Sequence, residues 1–328
     1  MGLDAWIARR LERGEPGGSL AHVASQAWAA AVNIERPLRW RSGARVIVVG
    51  GSTLGGSGKT PLAIACAEAL HRAGTRVALV GHGYRAHPGR PRFVSERDDV
   101  RAVGDEALEC AARLSARGVP VVVAETRQAA LDLALDVADV AVIDGLCQTR
   151  PRRASLALLA VDASSPWGSG VCPPAGDLRA PTAVLLAAAD RLVAIGSGRV
   201  SVDGRIDRAA VVSAGARLDD NLLGWEALRG LRVGLLTAIA RPSRVVAMLE
   251  RHGLRPVVTV HGANHRAVGV GLGQSPAPEL WLCTPKCRTH LGRHSVEYGG
   301  VPLATLDYSL RIGKRLTRAL LDPYPTRP

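Results

Sequence analysis

Residues 53 to 60, Thr-Leu-Gly-Gly-Ser-Gly-Lys-Thr, combine glycines, a lysine and a hydroxyl in the order that a phosphate-binding loop requires. The glycines let the backbone approach a ligand closely and aim its N–H groups at phosphate oxygens. The run follows the apolar stretch 45–50 and precedes a helical pattern, which places these amides at the positive end of a helix. The residues predicted to bind nucleotide phosphates are therefore Thr53, Leu54, Gly55, Gly56, Ser57, Gly58, Lys59 and Thr60.

Three side chains near this loop could handle charge. Lys59 is expected to neutralise the terminal phosphates of a nucleotide, and the Thr60 hydroxyl to hold Mg²⁺. Asp144 ends another apolar run, where a carboxylate can bind the same cation directly or through water, or can be an ordinary turn residue. Thr53 replaces the usual first glycine of the motif, although its own N–H can still point inward. Because such loops serve many reactions, the motif alone indicates nucleotide binding and no particular chemistry.

Continuous apolar runs alternate with helical patterns through the first half of the chain. The runs lie at 45–50, 75–80, 119–124, 137–144 and 155–162. Strands that are apolar on both faces must be covered by helices on both sides, as in a mostly parallel, doubly wound sheet. The sequence therefore predicts an α/β fold of the P-loop NTPase type.

The alternation of apolar runs and helical patterns ends near residue 190, and the sequence beyond it predicts further structural regions. Short alternating strands with glycine-containing turns indicate a β-ribbon linker over 191–215. A second βαβ-like set and a basic helix then indicate a smaller C-terminal α/β lobe over 216–328. The remaining predicted parts are an amphipathic helical segment over 1–40 and the phosphate-loop domain over 41–190.

The composition limits the partners that the chain can have. It holds 328 residues with a formal net charge of +13, which favours nucleic acid, anionic lipid or a phosphorylated substrate. The arginines are scattered and lack interleaved aromatic residues, and no zinc-finger or RNP-type signature occurs, so we predict no nucleic-acid partner. Six cysteines without C-x-x-C spacing indicate free thiols in a reducing compartment.

The segment 20–40 has two interpretations. Its apolar residues, among them Val23 and Trp28, recur roughly at helical spacing, and several arginines follow. Such a helix could lie in a membrane interface or could pack on the first lobe as an ordinary core helix. The N-terminus lacks the apolar core of a signal peptide, and no apolar run reaches the ~18 residues of a membrane span, which predicts a soluble or peripheral protein.

The loop and several later motifs resemble the tetraacyldisaccharide 4'-kinases of lipid A synthesis. The loop of that family, VGN-x-T-x-GG-x-GKTP, also carries Thr in place of the first glycine, and residues 49–61 match it except for Gly51 in place of Asn. The other matching stretches follow in the same order along roughly residues 40 to 290: GHGYR (81–85), VGDEAL (103–108), IDGLCQ (143–148), PPAGDLRAP (173–181), TAIARPSR (237–244) and ANHRAV (263–268).

The resemblance implies a specific reaction and site. The family transfers the γ-phosphoryl group of ATP, with Mg²⁺, to the 4'-hydroxyl of tetraacyldisaccharide 1-phosphate and so forms lipid IVA. It also implies that Asp105 and His265 form a pair that accepts the hydroxyl proton, in a cleft between the lobes. Without the resemblance, the structural interpretation is favoured for both residues: Asp105 as a helix N-cap and His265 as a solvated loop residue.

The resemblance further implies a location and leaves two alternatives. The expected location is the cytoplasmic face of the bacterial inner membrane, where a peripheral protein meets its lipid substrate and anionic lipid. The resemblance gives no information on protein partners. Ile143 stands where the family has the first Asp of DDG, and Asn264 where it has an Asp. Because of these departures, one alternative is a non-catalytic paralogue that still binds nucleotide. A second alternative, which rests on the loop alone, is a nucleotide-dependent switch protein that acts on a protein partner.

Overall fold

The computed structural model of the chain describes residues 18–32, 35–81, 83, 86–151, 154–201, 206–262, 277–291 and 297–322. These residues divide into two compact units, with chain crossings at Val211/Val212 and Ser309/Leu310. The last helix therefore belongs with the first unit, whereas the predicted division assigned it to the C-terminal lobe.

The secondary structure of the described residues follows the predicted alternation. The helices are α1 (Ser19–Ala31), α2 (Lys59–Arg72), α3 (Val100–Val103), α4 (Asp105–Leu114), α5 (Arg127–Val137), α6 (Thr182–Ala188), α7 (Trp225–Arg229), α8 (Pro242–Arg251), α9 (Pro285–Leu291) and α10 (Lys314–Leu321). The strands are β1 (Glu35–Leu38), β2 (Arg45–Gly51), β3 (Val77–Val80), β4 (Arg92–Phe93), β5 (Val121–Val123), β6 (Val140–Asp144), β7 (Gln148–Pro151), β8 (Leu156–Asp162), β9 (Arg191–Ile195), β10 (Ile206–Leu218), β11 (Asn221–Gly224), β12 (Val233–Thr237), β13 (Val258–His261), β14 (Leu280–Cys283), β15 (Glu297–Tyr298) and β16 (Val301–Ile312).

The first unit is built on a parallel sheet. Its strand order is β10-β9-β8-β2-β6-β3-β5-β4, and every neighbouring pair is parallel except β4 with β5. The chain leaves β2 towards β3 on one side and later returns to β8 on the other. Ligands bind at the carboxyl ends of strands where the order reverses in this way, and β2 leads directly into residues 53–60. The predicted doubly wound α/β class is confirmed.

Apolar side chains cover both faces of this sheet. On one face, α2 and α4 bury their leucines and alanines together with Ile47 and Val49. On the other face, α5 packs over Val46 and Val48. Helix α10 joins the first of these clusters through Leu316, Ala319 and Leu320. Their spacing gives one apolar stripe on the helix, and this stripe is buried in the core of the first unit.

The stretch predicted as a β-ribbon linker has a different structure at its start. Residues 191–195 form β9, which pairs in parallel with both β8 and β10 and so lies inside the sheet of the first unit. Strands β10 and β16 are the elements that have residues in both units.

The second unit has its own apolar core around a set of parallel strands. Strands β13, β12, β14 and β16 pair in parallel, in that order. Helix α8 packs its Val245, Met248 and Leu249 against the leucines of β12 and β14. This arrangement matches the predicted smaller α/β lobe in its element types.

Helix α1 buries little of its apolar surface. Leu20 is 88% exposed, Val23 is 64% exposed and Trp28 is 39% exposed, while Ser25 is the buried residue of the helix. A core helix shows the reverse pattern, with apolar residues inside and polar residues outside. Among the described residues, no helix combines the length and the apolar character needed to cross a bilayer.

Candidate functional site

The predicted phosphate loop lies between β2 and α2. Gly56 and Gly58 have positive φ angles of 74° and 83°, a backbone conformation that favours glycine. Gly58 directly precedes Lys59, the first residue of α2, so the loop ends at the N-terminus of a helix of 14 residues. Main-chain N–H groups at such an end attract anions. The loop therefore has the local geometry of a phosphate cradle.

Thr53 does not adopt the left-handed conformation that would require glycine, since Asp219 is the one non-glycine residue with positive φ in the described ranges. The chain instead stays extended, and Thr53 forms an antiparallel bridge with Leu178. In this bridge the N–H of Leu54 donates to the carbonyl oxygen of Asp177 at 2.8 Å. The predicted use of the Leu54 amide for phosphate is thus corrected, because that amide already binds within the protein.

A segment distant in sequence holds the start of the loop in place. The N–H of Arg179 donates to the carbonyl oxygen of Ser52 at 2.9 Å. The same segment contacts α1, because Ala175 N–H donates to Ser25 Oγ at 3.0 Å and Trp28 Nε1 donates to the Arg179 carbonyl at 3.4 Å. Residues 175–179 therefore connect α1 with the beginning of the phosphate loop.

Lys59 lies among carboxylates. Its Nζ is 2.8 Å from Glu106 Oε2 and 3.5 Å from Asp144 Oδ1, and its side chain is 14% exposed. Burial disfavours the ammonium form, but Asp144 and Glu106 outweigh it and raise the pKa of Lys59. The side chain is therefore a cation held in place beside the loop.

Asp144 sits next to the loop because β6 pairs with β2, with Asp144 opposite Val49. Its Oδ2 accepts a hydrogen bond from Thr60 Oγ1 at 2.7 Å. Its Oδ1 is buried and has no hydrogen-bond partner among the described residues. Burial raises the pKa of Asp144, and Lys59 and the bond from Thr60 oppose that shift only in part. Thr60 and Asp144, both predicted as magnesium ligands, are therefore in direct contact.

Ile143 faces away from this group. Its side chain is fully buried in the apolar cluster that α5 covers, with Val48 and Val80. Successive side chains of a strand point to opposite faces, so Ile143 and Asp144 lie on different sides of the sheet. The isoleucine at this position therefore fits the core and does not alter the surroundings of the Asp144 carboxylate.

Asp105 begins α4 and is almost fully buried. Its Oδ1 accepts a hydrogen bond from the N–H of Glu106 at 2.9 Å, so it also stabilises the helix start. It adjoins Glu106, the residue that contacts Lys59. His265, its predicted partner, lies outside the described residues, and the pair remains a prediction.

Two residues of the site were not predicted from the sequence. Glu106 contacts Lys59, and Arg127 Nη1 donates to the carbonyl oxygen of Asp144 at 2.7 Å. The matching stretch 103–108 already contained two adjacent acids, which was a usable signal for Glu106. Arg127 stands at the start of α5, and no local pattern distinguishes it from other helix residues.

The Gly51→Asn variant should be destabilised. A Cβ atom at position 51 would clash with Ser57 Oγ and lie 3.1 Å from Ser57 Cβ, so the Ser57 side chain or the loop that carries it would have to shift. We expect chemical denaturation to show a loss of about 1–3 kcal/mol in the free energy of unfolding. Adding Ser57→Gly should restore at least half of the loss. Gly224→Asn is the matched control, because nothing lies within 4 Å of the added Cβ there; equal stability of the two asparagine variants would contradict this prediction.

Comparison with known proteins gives several matches. Residues 15–274 match the model of the family described as Tetraacyldisaccharide-1-P 4'-kinase. The tetraacyldisaccharide 4'-kinase of Dichelobacter nodosus is 34% identical over 256 residues, which cover 75% of this chain and 74% of that protein. The protein of the same name from Paramagnetospirillum magneticum is 35% identical over 230 residues, covering 70% and 69%.

A solved structure has the same fold. The chain is similar to LpxK from Aquifex aeolicus, whose crystal structure is described as an "apo" form in complex with ATP. The TM-score is 0.68, with 20% sequence identity, and the likeness covers 93% of this chain and 95% of that chain.

Proposed function

The chain belongs to the Tetraacyldisaccharide-1-P 4'-kinase family, and we propose that it transfers the γ-phosphoryl group of ATP to the 4'-hydroxyl of a tetraacyldisaccharide 1-phosphate. The product would be lipid IVA, an intermediate of lipid A synthesis. The family match confirms the resemblance carried by the sequence motifs. The observation that carries the proposal is that this match includes a phosphate loop with Lys59 between two carboxylates.

The loop and Lys59 are proposed to bind the triphosphate. Phosphoryl transfer places charge on the oxygens of the moving group, and fixed cations and N–H groups stabilise that charge. Lys59 is a partly buried ammonium at the start of α2, and Gly56 and Gly58 shape the loop before it. The contact of Lys59 with Glu106 supports a side chain that is already oriented when ATP arrives.

The residues fit a magnesium ion. Mg²⁺ prefers oxygen ligands such as carboxylates and hydroxyls. Asp144 Oδ1 is a buried acceptor that receives no hydrogen bond from the residues the structure describes. Thr60 Oγ1 donates a hydrogen bond to Oδ2 of the same carboxylate. We propose that Thr60 and Asp144 hold the ion. When bound, it supplies positive charge against the phosphate oxygens.

Asp105 is proposed to accept the proton of the attacking hydroxyl. A sugar hydroxyl is a weak nucleophile until its proton has a base to go to, and a carboxylate within hydrogen-bond reach serves as that base. Asp105 is buried and lies next to Glu106, which contacts Lys59. The family resemblance assigns His265 as the partner of this carboxylate.

The proposed function can be tested by incubating the protein with ATP, Mg²⁺ and tetraacyldisaccharide 1-phosphate in mixed micelles and analysing the lipid by mass spectrometry. We expect a bisphosphorylated lipid whose new phosphate lies at the 4' position. The matched control is an acceptor whose 4'-hydroxyl is removed, which should give no product. Phosphorylation of that analogue, or none of the natural acceptor, would contradict the proposal.

We further propose that α1 docks on the cytoplasmic face of the bacterial inner membrane. Its Leu20 and Val23 are exposed apolar residues, and the formal net charge of +13 favours anionic lipid. Apolar side chains that enter the bilayer interface add to the electrostatic attraction. A peripheral position would bring the protein to a substrate whose acyl chains stay in the membrane.

The double variant Leu20→Asp/Val23→Asp should bind membranes more weakly. Burying one such side chain contributes about 1.5–3 kcal/mol, so we expect partitioning into phosphatidylethanolamine–phosphatidylglycerol vesicles to fall at least about tenfold. Cosedimentation measures this. Leu222→Asp is the control, because Leu222 is also exposed but lies on β11. Equal vesicle binding by the double variant and the control would argue against docking through α1.

A further inference from the structure

The hydroxyl of Thr53 makes a contact that the usual glycine could not make. Thr53 Oγ1 donates a hydrogen bond to the carbonyl oxygen of Gly55 at 2.6 Å. The threonine is almost fully buried, with 2% of its surface exposed. The hydroxyl thus lies inside the phosphate loop and holds one of its peptide groups.

That peptide group carries an N–H of the predicted cradle. The carbonyl of Gly55 and the N–H of Gly56 belong to the same planar peptide, in which the two groups point in opposite directions. A glycine such as Gly56 adopts positive and negative φ with similar ease, so the backbone alone does not fix this peptide. Fixing the Gly55 carbonyl therefore also fixes the direction of the Gly56 N–H.

The main chain on both sides of Thr53 is hydrogen-bonded to another segment of the protein. Its neighbours on both sides bind the segment 177–179, through Arg179 N–H to the Ser52 carbonyl and Leu54 N–H to the Asp177 carbonyl. The Ser52 side chain is also bonded, because its Oγ donates to the carbonyl oxygen of Pro166 at 2.6 Å. The hydroxyl of Thr53 is therefore presented from a short extended stretch with fixed position.

We propose that Thr53 is a positioning residue whose hydroxyl holds the Gly55–Gly56 peptide in the orientation in which the phosphate loop binds the triphosphate of ATP. This inference rests on the proposed function for the identity of the ligand. A loop that is ordered before the ligand arrives loses less conformational entropy on binding. The threonine would thereby fix in advance a peptide to which glycine at position 53 would offer no hydroxyl.

Three variants of Thr53 separate the hydroxyl from the rest of the side chain. Thr53→Val keeps the shape and loses the hydroxyl, Thr53→Ser keeps the hydroxyl, and Thr53→Ala serves where valine impairs folding. Isothermal titration calorimetry with ATP gives Kd, and steady-state kinetics with varied ATP give KM and kcat separately. We expect valine and alanine to raise Kd and KM for ATP about tenfold, the effect of about one lost hydrogen bond. We expect a smaller change in kcat, and serine within about twofold of the unaltered chain.

The outcomes distinguish this inference from the proposed function. If the valine and alanine variants bind ATP as tightly as the unaltered chain, the inference fails and the proposed function stands. If serine weakens ATP binding as much as valine does, the hydroxyl is not the active feature and the inference fails as well. If the unaltered chain does not bind ATP, both fail together.

Discussion

Replacement of Lys59 by alanine is expected to lower the rate of lipid phosphorylation by about a thousandfold, because the transition state loses a fixed cation. The partly buried ammonium lies 2.8 Å from Glu106 and 3.5 Å from Asp144, at the first residue of α2. The measurement is kcat and KM with ATP and the disaccharide 1-phosphate. Lys314→Ala is the matched control, since Lys314 is an exposed lysine at the start of α10. Activity of the Lys59 variant within about tenfold of that control would contradict the role given to Lys59.

The Lys59→Ala variant should also show a free energy of unfolding that depends on pH differently from that of the unaltered chain. Without Lys59, the buried Asp144 loses the cation that opposes the burial-induced rise of its pKa. A carboxyl whose pKa is higher in the folded state than in the unfolded state reduces stability as the pH rises through the folded pKa. We therefore expect the free energy of unfolding to fall by about 3 kcal/mol relative to the unaltered chain near about pH 8, and by less near about pH 5. Circular dichroism at both values separates lost folding from lost catalysis.

Replacement of Asp105 by asparagine is expected to lower kcat by about 10²–10⁴ while ATP affinity changes little, because the proposed base acts only during transfer. Asparagine is the sharper choice because its side-chain oxygen can still accept the hydrogen bond from the Glu106 N–H that now ends on Asp105 Oδ1. Alanine would remove that bond too and cost about 1 kcal/mol of stability. Kinetics and ATP titration on both variants measure the two effects separately.

The two variants also distinguish a catalytic from a structural Asp105. A catalytic carboxylate gives equal loss of kcat in the asparagine and alanine variants, with lower stability in alanine alone. If asparagine retained most of the activity, Asp105 would be a helix-start residue and the base would have to be another group.

The sequence was sufficient to predict the doubly wound α/β class of the first unit because the signals for that class are local. Strands such as β2 and β8 are continuous apolar runs, and the glycines of the loop occur where the backbone needs positive φ. Asp144 was placed correctly beside the loop since the carboxyl ends of neighbouring parallel strands meet at one edge of the sheet.

The contacts that the sequence did not predict join residues far apart in the chain. Asp177 and Arg179 bind the start of the phosphate loop from more than a hundred positions away, and they do so through backbone atoms. Backbone pairing of this kind leaves no trace in residue type. For the same reason the sequence offered the Leu54 amide as a phosphate ligand, although the structure binds it to Asp177.

Helix α10 and Ile143 show that the sequence does not identify the packing partner of an apolar residue. The apolar stripe of α10 predicts that this face is buried, but the stripe carries no information about which core it joins. Ile143 could be interpreted from the sequence as a lost ligand. Its place in the cluster on the opposite sheet face, with Val48 and Val80, identifies it as a core residue. In both cases the missing information is the identity of the packing partner.

The most direct measurement is a crystal structure of the protein with Mg²⁺ and a non-hydrolysable ATP analogue. We expect the terminal phosphates to contact Lys59 Nζ and main-chain N–H groups of residues 55–60, and the metal ion to be bound by Thr60 and Asp144. A triphosphate bound elsewhere, or a metal ion held without Asp144, would contradict the proposed site.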